Sequence, residues 1–271
     1  MSRLAQAFAT RTSKLVTYAT AGDPDQARSA DIVRAMARGG ADVIEIGVPF
    51  SDPIADGPAI QRASERALAG GATLRTTLEM IRALRHDVPV PLVLFTYVNP
   101  VLRMGTDEFL RCASDAGVDG VLLLDLPIEE SETMHEALGK RGIDQIFLVS
   151  PTTTNERLRE AGRLGSGFLY AISRLGVTGA RDVVSTSAEP LVARIRAQAS
   201  LPVALGFGIS SPEHVREVNT FADAAVVGSA LVQTIAETTK AGGDVAARVE
   251  SFVKWLKGTA PDSAAVISSA P

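Results

Sequence analysis

Three carboxylates, Glu45, Asp52 and Asp56, fall within the stretch Ile44-Glu45-Ile46-Gly47-Val48-Pro49-Phe50-Ser51-Asp52-Pro53-Ile54-Ala55-Asp56-Gly57. Residues 43–47 read as a short apolar strand. Its side chains alternate, so Ile44 and Ile46 share one face while Val43, Glu45 and Gly47 share the other. A carboxylate in such a strand costs several kcal/mol if it is buried and unpaired. Either a lysine or arginine from a neighbouring strand pairs with Glu45, or its raised proton affinity serves proton transfer near neutral pH. The other apolar runs offer no such cation, which favours proton transfer. Asp52-Pro53 and Asp56-Gly57 are weaker signals, because aspartate before proline or glycine serves equally as a turn or helix-cap residue.

Glycine-rich turns supply a second chemistry. Gly206-Phe207-Gly208 and Gly228-Ser229 each follow an apolar run, and Ser210-Ser211-Pro212 and Ser229-Ala230-Leu231 each open a helical pattern. Exposed backbone N–H groups at a helix start bind anions, phosphate above all. The same glycines also serve simply to let tight turns form. The stretch Arg174 to Arg181, with Gly176 and Gly179 as flexible points, has the make-up of a lid.

Eight apolar runs position these groups: Leu15–Thr20, Asp42–Gly47, Pro91–Tyr97, Val118–Asp125, Ile146–Val149, Phe168–Ile172, Pro202–Leu205 and Ala224–Val227. Helical patterns separate them, including 59–68 and 74–84 on either side of Gly70-Gly71, 107–116, and 129–141. Asp23-Pro24 reads as the cap and first residue of a helix reaching Arg38, with Gly39-Gly40 ending it, and Asn99-Pro100 as a turn. Strand and helix in alternation imply parallel strands with right-handed crossovers, and eight units close naturally into a (β/α)8 TIM barrel. An open doubly wound sheet is the alternative, but no Gly-x-Gly-x-x-Gly turn follows the first strand. The expected architecture is one barrel domain over residues 1–257, with an extra N-terminal helix and an extra helix after strand 2. Residues 258–271, rich in Ala, Ser and Pro, are expected to be a disordered tail.

In this architecture the chemistry sits at the C-terminal strand ends. Tyr18, Thr20, Asp23, Glu45, Ser51, Asp52, Asp56, Tyr97, Asn99, Asp125, Tyr170, Ser173 and Arg174 fall there. Leu94, Leu122, Leu148, Tyr97, Tyr170 and Phe207 are expected to give an apolar, partly aromatic wall, though most would serve as well as plain core. Carboxylates on one side, a phosphate grip on the other and an apolar space between them fit a phosphorylated substrate with a flat hydrophobic part.

The chain has 271 residues, 46% of them hydrophobic and 21% charged, which is the profile of a globular enzyme. A net charge of −4 with no basic run argues against nucleic-acid binding. With Cys112 as the only cysteine there is no intramolecular disulfide and no thiolate cluster, and His86, His135 and His214 lack ligand spacing, so no metal is expected. No apolar run is long enough to span a bilayer, and a cytoplasmic location is expected. The first fifteen residues lack acids, as transit peptides do, but are read as a short helix covering the barrel floor.

The stretch 44–57 closely resembles the signature of the tryptophan synthase alpha subunit family. Further features of that family recur in order: residues 20–24 (Thr-Ala-Gly-Asp-Pro), 97–100 (Tyr-Val-Asn-Pro), 125–127 (Asp-Leu-Pro), 173–179 (Ser-Arg-Leu-Gly-Val-Thr-Gly), 206–208 and 228–229. The resemblance covers nearly the whole chain. It implies a lyase that splits indole-3-glycerol phosphate into indole and glyceraldehyde 3-phosphate by a retro-aldol reaction, within tryptophan biosynthesis. It implies Glu45 as the general acid–base, Asp56 as the group holding the indole N–H, and Tyr170, Tyr18, Phe207, Leu94, Leu122 and Thr178 around the substrate. Gly179, Gly208, Gly228 and Ser229 would bind phosphate. Phenylalanine is common in the family where this chain has Tyr18, which makes that wall more polar here. A pyridoxal-phosphate beta subunit would receive the indole in an alpha2beta2 heterotetramer, meeting this chain through Pro53, Ile54, Asp56, Pro58, Asn99 and Pro100. The resemblance implies no cofactor in this chain and low activity without the partner. A stand-alone indole lyase, a sugar-phosphate isomerase and a barrel that only activates a partner remain as alternatives, the last disfavoured by intact Glu45 and Asp56.

Overall fold

All eight apolar runs form strands: β1 Leu15–Thr20, β2 Val43–Gly47, β3 Leu92–Thr96, β4 Gly120–Leu123, β5 Asp144–Val149, β6 Leu169–Ile172, β7 Val203–Gly206 and β8 Ala224–Val227. They pair parallel in chain order, and β8 returns to β1 to close the barrel. The computed structural model describes residues 1–10, 12–172, 187–206 and 208–261. Before β1 lies α1 (Arg3–Ala7), and α2 (Gln26–Gly39) joins β1 to β2. Two helices follow β2, α3 (Pro58–Ala69) and α4 (Leu74–Leu84), and two follow β3, α5 (Val98–Met104) and α6 (Thr106–Ala116). Next come α7 (Glu132–Gly139), α8 (Asn155–Leu164), α9 (Ala188–Arg196) and α10 (Pro212–Val218), then α11 (Ser229–Lys240) and α12 (Val245–Leu256) after β8.

Strand parity sorts the side chains into two cores. Ile44, Ile46, Leu94 and Val121 face outward and pack under the helices. Val16, Val43, Val93, Leu122, Ile146, Phe168, Ala204 and Val226 fill the barrel interior. The short N-terminal helix covers the barrel floor: Leu4 is fully buried in the interior cluster, and the Phe8 ring lies 5.4 Å from that of Phe168. Polar contacts fasten it, with Ser2 Oγ donating to Asp144 at 2.6 Å and Arg3 to Asp119 at 2.9 Å.

Four side-chain hydrogen bonds set the strand starts. Asp42, ahead of β2, accepts the Leu15 N–H of β1, and Asp119, ahead of β4, accepts the Leu92 N–H of β3, both at 2.8 Å. Ser166, ahead of β6, accepts the Gln145 N–H of β5 at 3.0 Å, and Asp223, ahead of β8, accepts the Val203 N–H of β7 at 2.8 Å. Each satisfies a donor that the strand ladder alone would leave open.

Three local expectations are corrected. Asp23 does not cap α2; Asp25 does, accepting the Arg28 N–H at 2.9 Å, while Asp23 binds a distant arginine described below. Asn99 and Pro100 lie inside α5, because proline is tolerated in a first helical turn where its missing N–H would have no partner. The segment 129–141 divides into a single 3-10 turn at Ile128–Glu130 and α7. The lid stretch 174–181, Thr178, Gly179, Phe207 and residues 262–271 lie outside the described residues. Among the described residues, no helix is long and apolar enough to cross a membrane.

Candidate active site

Glu45 stands in mid-barrel. Its Cα registers with Tyr18 on β1 and Val93 on β3, its side chain is 0% exposed, and among the described residues neither carboxylate oxygen has a hydrogen-bond partner. Burial alone raises its pKa from the ordinary 4.5 to about 8. Among the described residues no arginine or lysine pairs with it, which disfavours the pairing alternative. At neutral pH this carboxyl is protonated and becomes basic once its proton has left.

Asp56 is buried where the loop after β2 turns into α3. Burial raises its pKa to about 6, opposed by one hydrogen bond: the Tyr97 hydroxyl donates to Oδ2 at 3.0 Å. That hydroxyl also accepts the Ala55 N–H at 3.0 Å, and the Tyr97 ring lies 5.0 Å from Phe50. Two carboxylates in different environments thus hold different protonation states at pH 7, Glu45 neutral and Asp56 ionised.

Aromatic rings line the space around them. Tyr18 meets Phe95 edge-on at 5.3 Å, and Phe95 and Tyr170 are 6.4 Å apart. Close packing of the phenols needs glycine on the neighbouring strands: a Cβ at Gly47 would overlap the Tyr18 hydroxyl, and one at Gly206 the Tyr170 hydroxyl. Burial and the nearby carboxylates Asp56 and Glu45 push the Tyr18 pKa well above its usual value, and burial with Glu45, Tyr18 and Asp56 does the same for Tyr170. Both phenols stay protonated. The Tyr18 hydroxyl lies 3.3 Å from Thr20 Oγ1, within hydrogen-bond reach.

Leu94 is not part of this wall. It registers with Ile46 and faces the helices, fully buried, and the interior position on β3 belongs to Phe95. In a strand apolar on both faces, composition carries no parity, and a slip of one residue exchanges inside for outside. Leu122 does face the interior, fully buried in the cluster beneath the rings. Tyr97 was legible as a polar strand-end residue, but its bond to Asp56 was not, since the two are 41 positions apart. Asp125 has a structural task, accepting the first N–H of α5, that of Val98, at 2.7 Å.

On the same rim, after β7, Gly208 has φ +79°, a conformation natural to glycine. Gly228 precedes α11, which has no side-chain cap, whereas Ser211 caps α10 by accepting the His214 N–H. Of the two helix starts, α11 is the one whose leading N–H groups are left for a ligand. On the outer surface Pro58 and Asn99 are exposed and Pro53 and Pro100 half-buried, while Ile54 is 81% and Leu102 62% exposed. Among the described residues no group of three or more His, Cys, Asp or Glu could hold a metal ion.

Known proteins resemble this chain in sequence and in fold. The family described as tryptophan synthase alpha chain matches residues 4–261. The tryptophan synthase alpha chain of Solibacter usitatus is 49% identical over 243 residues, covering 90% of this chain and 91% of that one. That of Methanosarcina barkeri is 48% identical, covering 90% of each. Among solved structures, tryptophan synthase of Mycobacterium tuberculosis superposes with a TM-score of 0.87 at 38% identity, over 95% of this chain and 98% of that one. The alpha subunit from Legionella pneumophila superposes with a TM-score of 0.86 at 36% identity, over 96% and 98%. A barrel with an unpaired glutamate in its second strand, matched in sequence along nearly its whole length, places this chain in the tryptophan synthase alpha chain family.

Proposed function

We propose that this chain, as a lyase of its family, cleaves indole-3-glycerol phosphate with Glu45 as the proton carrier and Asp56 as the electrostatic partner. The observation that carries the assignment is the unpaired, fully buried Glu45, protonated up to about pH 8. The Glu45 carboxyl gives its proton to indole C3, and the positive charge that develops on the ring reaches the indole N–H, where ionised Asp56 offsets it. The Glu45 carboxylate then takes the proton of the hydroxyl on the carbon attached to C3. The carbon–carbon bond breaks, its electrons restore the aromatic ring, and that carbon leaves as the aldehyde of glyceraldehyde 3-phosphate. One proton has moved from oxygen to carbon, and Glu45 ends as it began.

Tyr170, Tyr18, Phe95 and Leu122 bound the indole side, with Phe207 and Thr178 assigned by family resemblance. Gly208, Gly228 and Ser229, with Gly179, hold the phosphate; the uncapped start of α11 supports this choice. Residues 1–257 form the working domain.

The family implies a beta subunit as partner. We assign its contact to Pro53, Ile54, Pro58, Asn99 and Pro100, within an alpha2beta2 heterotetramer in the cytoplasm. Pyridoxal phosphate belongs to that beta chain, and this chain needs no cofactor of its own. The exposed Ile54 and Leu102 support the assignment, because they lie on the two segments that carry Asp56 and follow Tyr97. Indole release from indole-3-glycerol phosphate by the purified chain, measured with and without a beta subunit, tests all of this. Cleavage that rises with the partner is expected; no cleavage in either case overturns the assignment, and full activity alone points to a stand-alone lyase.

A further inference from the structure

Asp23 lies in the loop after β1 and is 2% exposed, and its carboxylate is held by one guanidinium. Arg66 donates from Nε to Oδ1 at 2.7 Å and from Nη2 to Oδ2 at 2.9 Å. Arg66 belongs to α3, the helix that begins immediately after Asp56 and Gly57. Asp23 is buried while the Arg66 side chain is 36% exposed, and such a half-buried pair is weak grounds for a stabilising role, because desolvation of the carboxylate offsets much of the attraction. What a two-pronged pair of this kind does specify is geometry, since the planar fork fits a carboxylate in one orientation.

The other contacts between α3 and the β1 end are apolar and set distance rather than height. Ile60 and Ala63 pack on Tyr18, and Gly22 lies against Ala67 and Ala72. Such surfaces slide with little change in buried area. Tyr97, just after β3, holds the Asp56 carboxylate, while Gln61 of α3 donates from Nε2 to the Asp56 carbonyl at 2.8 Å, so a shift of α3 passes into the Asp56 backbone.

We infer that Asp23 and Arg66 are positioning residues for cleavage, and that their bidentate pair fixes α3 against β1 so that the Asp56 carboxylate sits at its working place. The inference rests on the proposed role of Asp56.

The test uses the full-length chain, with indole release followed across pH and thermal unfolding alongside. Two variants separate positioning from folding. Asp23→Asn/Arg66→Met leaves no buried charge unpaired, so its thermal midpoint is expected within about 4 °C of wild type. Its kcat is expected to fall about tenfold or more, with KM changed less than about threefold and the acidic limb of the pH profile displaced. Arg66→Lys keeps the charge without the fork and is expected to lose kcat to a similar degree while unfolding near the wild-type temperature. A wild-type kcat and pH profile in either folded variant overturns the inference. So does activity that falls only in step with the unfolding temperature and returns in full with lysine. Asp56→Asn, assayed in parallel, isolates the underlying reading: wild-type turnover there removes the role of Asp56 itself, whatever the two pair variants do.

Discussion

Tyr97 and Asp56, from the segments that follow the neighbouring strands β3 and β2, meet through one hydrogen bond, in which the phenol donates to the carboxylate at 3.0 Å while accepting the N–H of Ala55 at 3.0 Å. One hydroxyl therefore holds both the side chain and the preceding backbone of Asp56. The same bond keeps the Asp56 pKa down to about 6 against the pull of burial.

Tyr97→Phe removes that donor and leaves the Ala55 N–H without its partner. The Asp56 pKa should rise, so the acidic limb of the kcat/KM profile, set near pH 6 by Asp56 in the free enzyme, should move to higher pH. The basic limb, set near pH 8 by Glu45, should stay in place. Maximal turnover should fall about tenfold, as the carboxylate loses its fixed position. Indole release measured from pH 5 to 9 checks both limbs.

Glu45→Gln preserves shape and removes the proton carrier. Turnover should drop by roughly a thousandfold or more, with substrate binding changed by no more than a few fold. Single-turnover indole release alongside equilibrium binding distinguishes the two effects. Surviving turnover would show that Glu45 does not carry the proton.

The same substitution should alter how stability responds to pH. The folded chain holds the Glu45 proton until about pH 8, whereas the unfolded chain releases it near the ordinary 4.5. The group's contribution is therefore fully present below pH 4.5 and is lost as pH rises toward 8. The loss is on the order of a few kcal/mol, and Asp56 adds a smaller loss in the same direction up to about pH 6. Urea unfolding at pH 5 and pH 8.5 should show wild type weakening relative to Glu45→Gln, with the difference growing toward the higher pH.

Gly228→Ala probes the phosphate grip without disturbing the fold. A Cβ at Gly228 would meet Tyr18 Cβ at 3.6 Å, an ordinary contact, and its φ of −111° is negative. Thermal stability should hardly move, while KM for indole-3-glycerol phosphate should rise about tenfold. An unchanged KM would take Gly228 out of the phosphate site.

The eight-strand count was legible because each strand is a short apolar run bounded by glycine, proline or aspartate, and the helices between them are amphipathic. Glu45 was legible for the same reason, as a charge in the middle of such a run rather than near its end. Leu94 and Phe95 were not told apart, because β3 is apolar on both faces and only register with Ile46 and Gly47 sets which side looks inward. Asp56 could not be separated from a turn aspartate without Tyr97, nor Asp23 from a helix cap without Arg66, because both partners arrive from distant segments. The helix α12 went unread for a related reason. It lies beyond the last β/α unit and is specified by packing on α2, where Gly39 leaves room for Val253.

The hydrogen bonds at the strand starts follow a rhythm of two. Asp42, Asp119, Ser166 and Asp223 each tie an odd-numbered strand to the segment leading into the next even-numbered one. Along that rim the barrel is four stitched pairs rather than eight equivalent staves. New chain ends opened between pairs, as in the connection from α4 to β3, would leave every stitch inside one continuous segment. Ends opened within a pair, as between α2 and β2, would place the two halves of a stitch at opposite termini, so besides the existing ends, where Asn219 ties the start of β1, the molecule has three seams at which it can be recut and four at which it resists.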